Sequence, residues 1–353
     1  MKMKPPYRVP SMDEIRAIPW NGFNVVSTFS GAGGSCLGYR MAGYRVLWAS
    51  EFIPAAQEVY RANHQNSILD TRDIREVQPE DILLATGMAQ GEIDILDGSP
   101  PCSVFSEAGQ REKGWGKVKS YSQTKQRVDD LFFEYARILK GLQPKCFVAE
   151  NVSGLVKGKA KGYFLEILKE LKSCGYQVRC KVLDAQWLGV PQKRKRVIFI
   201  GVRNDLNLEA VHPKPLPYQY TVNDAFQDVS NDIEEGAWIR SEVSQNLWEN
   251  TTPGKAFDEA NKRLYGKTGR MTHFRVSMNK PCNCIKQSTR DIYHTSECRS
   301  LSIAELKRVC AFPDDFVLTG SYAQQWERLG RAVPPLMMMH VAKTIDSKIL
   351  SRL

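Results

Sequence analysis

The chain has 353 residues, 42% of them hydrophobic and 25% charged, enough for one large domain with its own core and a smaller one beside it. Its formal net charge of +10 favours a polyanionic partner, nucleic acid first. The polar start Met1–Pro10 lacks the apolar core of a secretory signal, and no run of about 18 apolar residues occurs, so neither export nor a membrane span is expected. The nine cysteines are odd in number and irregular in spacing, which argues for reduced thiols in a cytosol-like compartment rather than a disulfide framework.

Residues 1–22 read as a polar lead-in with one short helix at Met12–Ile18. Val25–Phe29 is an apolar strand that ends in Ser30-Gly31-Ala32-Gly33-Gly34, and a helix follows to Met41. Tyr44–Ser50 is a second strand, ending at Glu51, and Pro54–Asn63 is a helix with proline in its first turn. Ile93–Leu96 is a strand, Val128–Leu142 an amphipathic helix, and Cys146–Ala149 a strand ending in Glu150-Asn151-Val152. Tyr163–Ser173 is a helix, and Tyr176–Ala185 and Val197–Val202 are strands. This alternation predicts an α/β fold, a Rossmann-like doubly wound sheet that is mostly parallel. Ligands of such sheets bind beyond the carboxyl ends of the strands. Phe29–Gly34, Glu51, Asp97–Cys102 and Glu150 should therefore converge on one crevice. From Asp205 the texture changes. Pro213, Pro215 and Pro217 cluster, periodicity is weak through Lys286, and a second, smaller, loop-rich domain is predicted. Ser302–Cys310 and Val333–Leu350 are again helical, the latter returning to the first domain.

The glycine turn at Phe29–Gly34 allows close backbone approach to a ligand at a helix N-terminus. It is neither Gly-x-Gly-x-x-Gly nor a P-loop, so by itself it says only "nucleotide-like ligand", and an ordinary tight turn is the alternative. Glu51 at a strand end suits ribose hydroxyls, and Asp73-Ile74 an adenine amino group; a surface carboxylate is the alternative for each. Together the three favour an adenosine-containing cofactor. Cys102 follows Gly98-Ser99-Pro100-Pro101, a rigid loop that holds a thiol in place as a candidate nucleophile, against the alternative of a small buried cysteine. Glu150 at the lip of the crevice suits acid–base work or holding an amidine. In the basic run Gln192-Lys193-Arg194-Lys195-Arg196, an extended backbone puts Gln192, Arg194 and Arg196 on one face. That face could clamp phosphate or orient a reacting base; a solvated charge run is the alternative.

Taken in order, these segments resemble the DNA (cytosine-5) methyltransferase family, from Asn24 to Ile349. Phe29–Gly34 is similar to its cofactor loop, Glu51 to its ribose-binding acid and Asp73-Ile74 to its adenine-contacting pair. Pro101-Cys102 with Phe105 and Ser106 resembles the nucleophile motif. Glu150-Asn151-Val152 resembles the base-recognition motif, and Gln192, Arg194 and Arg196 the Gln-x-Arg-x-Arg element. Arg299–Ser302 with Phe312–Phe316, and Gly330–Pro335, are similar to the closing segments. The resemblance implies transfer of a one-carbon group from S-adenosylmethionine to C5 of a cytosine flipped out of double-stranded DNA, through a covalent bond from Cys102 to C6. It implies Cys102, Glu150, Arg194 and Arg196 as catalytic residues. The cofactor would be held by Phe29, Ser30, Gly31, Gly33, Gly34, Glu51, Phe52, Asp73, Ile74, Gly98, Pro100, Arg331, Ala332 and Val333. Gln192, Arg270, His273 and Arg275 are the expected DNA contacts, with Trp238 and Trp248 beside them. The domains are then 1–204 (catalytic), 205–290 (target recognition) and 291–353 (return to the catalytic domain). The expected setting is a monomer in the cytoplasm of a prokaryotic or phage-infected cell, as part of a restriction–modification system or a phage, with no metal.

The chain departs from the family pattern at Arg331, where asparagine is usual. An arginine there would turn to a DNA phosphate, pair with a nearby acid, or hold the extra carboxylate of carboxy-S-adenosylmethionine, which would make the product a carboxymethylated cytosine. Cys282, Cys284, His294 and Cys298 count as a three-cysteine, one-histidine set, but the Cys-x-Cys spacing is unlike a zinc site and small-residue substitution explains it. An RNA cytosine-5 methyltransferase would use the same chemistry; the separate segment at 205–290 favours DNA. A non-catalytic relative is disfavoured by the intact Cys102, Glu150 and Arg194. A cysteine hydrolase would need a histidine partner, and His64, His212, His273, His294 and His340 show no suggestive placement.

Overall fold

The computed structural model describes residues 4–101, 130–156, 161–289 and 291–353, together with the backbone of 119–121 and 124–126. The described chain forms two compact units. One comprises Ile15–Leu183, Lys195–Lys214 and Met338–Leu353; the other comprises the residues up to Glu14, Asp184–Arg194 and Pro215–Met337.

The first unit is built on a seven-stranded sheet. Its strands are β1 (Asn24–Thr28), β2 (Arg45–Ser50), β3 (Ile68–Asp70), β4 (Ile95–Gly98), β7 (Cys146–Val152), β8 (Tyr176–Asp184) and β9 (Lys195–Arg203), and a separate short hairpin holds β5 (Lys119–Tyr121) and β6 (Thr124–Gln126). The order is β3-β2-β1-β4-β7-β9-β8, with β1, β2, β3, β4 and β7 parallel and β9 antiparallel to β7. The winding runs outward from β1 to β3 and then reverses at β4. This doubly wound arrangement leaves its switch point between β1 and β4. β1, β4 and β7 are buried almost throughout because central parallel strands are covered on both faces.

The helices of this unit include α2 (Gly34–Met41), α3 (Pro54–Asn63), α4 (Pro79–Thr86), α5 (Leu131–Leu142) and α6 (Lys161–Ser173). α3 starts on Pro54, whose missing N–H costs nothing in a first turn. α5 buries Leu131, Tyr135, Ile138 and Leu142 along one stripe, in one core with Trp48, Phe147 and Phe199. α4 was not apparent from the pattern, since only Pro79 and Ile82 are buried; a reciprocal cap between Gln78 and Asp81 starts it and Gly87 in the left-handed region ends it.

The second unit contains α7 (Val222–Ala225), α8 (Glu242–Glu249), α9 (Asp258–Tyr265), α10 (Ile303–Val309) and α11 (Tyr322–Arg331), and a two-stranded ribbon of β10 (Phe274–Arg275) and β11 (Ile292–Tyr293). Leu247, Trp248, Phe257, Ala260 and Tyr293 form a small core there. The weakly periodic stretch thus carries short helices as well as loops. Two helices lie across or near the junctions: α1 (Met12–Ala17) and α12 (Pro335–Lys348). The boundaries expected at 205 and 291 do not coincide with the unit edges. Residues 291–337 lie in the same unit as 215–289, and the chain rejoins the sheet-bearing unit only at Met338. Among the described residues, no helix is long and apolar enough to cross a membrane.

A glycine inside β9 tests this packing. A Cβ on Gly201 would lie 2.0 Å from Cε1 of the Phe147 ring, whereas one on Gly162 in α6 meets nothing within 4 Å. Gly201→Ala should cost about 2 kcal/mol or more, and Gly162→Ala should be neutral or stabilising by up to about 1 kcal/mol. Urea unfolding of both variants checks the contrast.

Candidate active site

Strand register brings the loops of the first unit to one edge of the sheet. Thr28 is level with Gly98, Gly98 with Ala149, and Ser50 with Asp70. The residues that follow each strand therefore leave the sheet side by side. After β1 the backbone turns at once. Phe29 takes φ +53°, Gly31 +56° and Gly33 +83°, and the Ser30 N–H donates to the Ser50 carbonyl at 2.9 Å. Gly33 cannot be replaced cheaply: besides its left-handed φ, a Cβ there would lie 2.0 Å from His64 Nε2. α2 then begins without a side-chain cap.

Glu51 is buried and ties two of these loops together. Its Oε2 accepts from the Gly31 N–H at 2.8 Å and its Oε1 from the Ile53 N–H at 2.7 Å. It is not a solvated surface carboxylate. Phe52, beside it, is half-buried. Asp73 is anchored by Arg75 at 2.9 Å, and the other arm of that guanidinium meets Asp130 at 2.6 Å. The Ile74 side chain lies in the core, and Arg137 Nη2 donates to its carbonyl at 2.9 Å. The Ile74 side chain is therefore a packing group, which leaves its backbone N–H as the group that could face a cofactor.

β4 ends in Asp97-Gly98, and both positions are tightly constrained. A Cβ on Gly98 would lie 2.5 Å from Thr28 Oγ1 and 2.6 Å from the Tyr135 ring. Asp97 is fully buried, and its carboxyl accepts from Ser35 Oγ (2.8 Å), Ser27 Oγ (3.1 Å) and Tyr39 OH (3.2 Å). Burial, opposed by these three hydroxyls, pushes its pKa up to about 7. The loop beyond is fixed from β7, where the Asn151 side-chain amide donates to the Pro100 carbonyl at 3.1 Å. Pro100 is buried. Cys102, Phe105 and Ser106 lie outside the described residues.

Glu150 stands at the end of the apolar part of β7, with its side chain largely covered, and Arg196 Nε meets its Oε1 at 2.8 Å. β7 and β9 run antiparallel with Val152 opposite Arg196, so Glu150 and Arg196 are diagonal neighbours on one face. Both residues are expected catalytic groups, and the geometry brings them into an ion pair.

The second unit corrects several assignments. The alternation along 192–196 is as read: Gln192 and Arg194 are buried while Lys193 and Lys195 are exposed. Their partners, however, are protein carbonyls. Arg194 donates from Nη1 to Ile285 O (2.9 Å) and from Nη2 to Gly330 O (3.0 Å) and Ala332 O (2.9 Å). These bonds brace the Gly330–Val333 segment. Gln192 accepts from the Ile285 N–H and donates to Val309 O, both at 3.2 Å, and is fully buried, so it is not a DNA contact. Arg275 donates to Thr295 O at 2.8 Å and Thr251 O at 3.0 Å, with its guanidinium 3.8 Å above the Trp248 ring. It too braces the unit internally. Trp248 is buried, its indole N–H donating to His294 O at 2.9 Å, while Trp238 remains exposed. His273 is half-buried near Asp291, and burial lowers its pKa, which favours the neutral ring. Arg270 is half-buried in the left-handed region.

Arg331 ends α11 and donates from Nε to Glu327 Oε1 at 2.8 Å, the nearby-acid arrangement among the three considered. Ala332 is half-buried and Val333 buried. Gly330 must be glycine, because a Cβ would lie 2.0 Å from the Lys286 carbonyl oxygen. Among the described residues no group of three or more His, Cys, Asp or Glu side chains is placed to hold a metal ion.

The sequence reading missed the environment of Asp97. The available signal was a carboxylate closing an apolar run, with serines at 27 and 35 and a tyrosine at 39. Because its folded pKa lies above the ordinary carboxylate value near 4, this group stabilises the fold at low pH and loses that contribution as pH rises towards 7 and beyond. From about pH 5.5 to about pH 8, wild type should lose about 2 kcal/mol more stability than Asp97→Asn, which does not titrate. Urea unfolding at the two pH values measures this, and equal losses would contradict it.

The sequence profile of C-5 cytosine-specific DNA methylases matches residues 23–347. The Type II methyltransferase M1.HphI of Haemophilus parahaemolyticus is 31% identical over 91% of this chain and 86% of its own length. The Type II methyltransferase M.PspPI of Psychrobacter sp. (strain TA137) is 32% identical over 94% of this chain and 81% of its own. In fold, the chain is similar to the crystal structure of a DNA modification methyltransferase encoded within an E. coli prophage, with a TM-score of 0.75 at 21% identity, covering 93% of this chain and all of that one. A profile match across nearly the whole chain, over a doubly wound sheet with its loops gathered at one edge, leads to one conclusion: the chain belongs to the C-5 cytosine-specific DNA methylase family, enzymes that methylate cytosine in DNA with S-adenosylmethionine.

Proposed function

We propose that Cys102 is the nucleophile of this cytosine-5 methyltransferase, that Glu150 and Arg196 hold the reacting base, and that the substrate is double-stranded DNA with the target cytosine turned out of the helix. The observation that carries this reading is the pairing of two constraints at one strand end. Asn151 fixes the Pro100 carbonyl two residues before Cys102, while the adjoining Glu150 is oriented by Arg196.

Cytosine C5 is a poor nucleophile. Addition of the Cys102 thiolate to C6 forms an S–C bond and moves the 5,6 double-bond electrons to C5. Glu150 would contact N3 and the exocyclic amine, favouring protonation at N3 as charge builds on the ring. Arg196 keeps the Glu150 carboxyl aimed and offsets its charge. After C5 is alkylated, loss of the C5 proton returns the electron pair to the 5,6 bond and expels Cys102 as thiolate. The base must leave the stack before any sulfur can reach C6.

The donor site fits S-adenosylmethionine on the residues themselves. Gly31 has open space where a Cβ would stand, Glu51 closes the turn, and Asp73 is held at the neighbouring strand end. Phe29, Ser30, Gly31, Gly33, Gly34, Glu51, Phe52, Asp73, Gly98 and Pro100 would hold it. When bound, it supplies an electrophilic methyl carbon. The Arg331–Glu327 pair supports an unmodified donor, since the guanidinium already has a carboxylate partner. A carboxylated donor is the second reading, raised by the arginine itself.

We assign target recognition to the segment 205–290, with Arg270, His273 and the exposed Trp238 as candidate contacts. This segment favours DNA over RNA, and its shortness suggests a short or relaxed target site. The reading includes a monomer acting in the cytoplasm of a prokaryotic or phage-infected cell.

A duplex containing 5-fluorocytosine blocks the final elimination and so traps the adduct. Wild type with S-adenosylmethionine should form a complex that survives denaturing electrophoresis, and Cys102→Ala should form none; trapping by Cys102→Ala would refute the nucleophile assignment. Glu150→Gln should lower kcat by about 100-fold, read from tritiated-methyl incorporation. Offered both donors separately, the enzyme should yield 5-methylcytosine; a carboxymethylated base would favour the second reading.

A further inference from the structure

Asp97 takes no part in the chemistry above, yet it sits where three pieces of the site meet. Its Oδ2 accepts from Ser27 Oγ on β1 at 3.1 Å and from Ser35 Oγ on α2 at 2.8 Å, and its Oδ1 accepts from Tyr39 OH on α2 at 3.2 Å. These hydroxyls flank the glycine turn on both sides. The relay continues into the turn itself, because Ser30 Oγ donates to Ser27 Oγ at 3.1 Å and to Ser27 O at 3.2 Å. On the other side, Thr28 Oγ1 donates to the Asp97 carbonyl at 3.2 Å, and Asp97 is followed directly by the Gly98–Pro101 loop that leads to Cys102.

A buried carboxyl is an expensive way to fill space. Desolvation opposes it, and an apolar side chain of similar size would stabilise a core at least as well. What a carboxyl adds is direction: two oxygens that fix three hydroxyls at set angles. The titratable groups facing it are Cys36 and Tyr39 on α2, Tyr135 on α5 and Glu150 on β7. Among the described residues it is held by hydroxyl donors and makes no ion pair.

We infer that Asp97 is a positioning residue for donor binding: its carboxyl clamps the strand side and the helix side of the glycine turn to the end of β4, and so couples the shape of the donor loop to the loop that carries Cys102. This rests on the reading of Phe29–Gly34 as the S-adenosylmethionine loop. The clamp sets affinity for the donor more than the chemistry, because Asp97 reaches the ligand only through Ser27, Ser30 and Ser35.

The test is calorimetric titration of the full chain with S-adenosylhomocysteine, alongside steady-state kinetics. Asp97→Ala should bind S-adenosylhomocysteine about ten-fold more weakly and raise KM for S-adenosylmethionine similarly, with kcat at saturation within about three-fold of wild type. Asp97→Asn, which keeps an acceptor and a polar group of the same shape, should restore binding to within about three-fold of wild type. Should Asp97→Ala fail to fold, Ser35→Ala removes the 2.8 Å donor alone and should weaken binding by about three-fold. A folded Asp97→Ala or Ser35→Ala with wild-type affinity would overturn the clamp while leaving the donor-loop assignment standing. Wild type that does not bind S-adenosylhomocysteine would overturn that assignment and the clamp with it.

Discussion

Everything in the site depends on parallel strands that stop at the same level. β1, β2 and β4 end level with one another beside Ala149 of β7, so the loops after them and the last residues of β7 come to one edge of the sheet. Parallel pairing requires crossovers, which carry the chain away and bring it back pointing the same way. The glycine turn, Glu51, the proline loop and Glu150 are far apart in sequence and close in space for that reason alone.

Register brings the loops together; side chains then set their shapes. Three ties recur, and each joins separate elements. Glu51 bridges the turn after β1 to the turn after β2, Asn151 holds Pro100 from β7, and Asp97 gathers hydroxyls from β1 and α2. Glycines mark where no side chain is admitted, at Gly33 against His64 and at Gly98 against Thr28 and Tyr135. The result is preorganisation by short, buried polar contacts on rigid elements, the condition under which a reacting group is held to a fraction of an ångström.

Much of this was legible from residue order. The central strands announced themselves as apolar runs, α3 by its leading proline, and the alternation at 192–196 put the correct residues on the buried face. What was not legible were partners distant in sequence. Nothing local to Arg194 tells that its donors meet carbonyls at 285, 330 and 332, or that Arg275 lies over Trp248. The geometry of Arg194 is that of a brace, and Arg196, one alternation further on, reaches Glu150. α4 and β3 escaped because a mostly exposed helix and a three-residue strand carry too little periodic signal.

The central claim is that these strand ends present a thiol and a carboxylate to cytosine so that carbon, not nitrogen, is alkylated. Nucleoside mass spectrometry of duplex DNA incubated with the purified chain and S-adenosylmethionine tests it most directly. The account predicts 5-methylcytosine, absent when Cys102 is replaced by alanine. Methylation on a ring or exocyclic nitrogen, or 5-methylcytosine formed without Cys102, would contradict it.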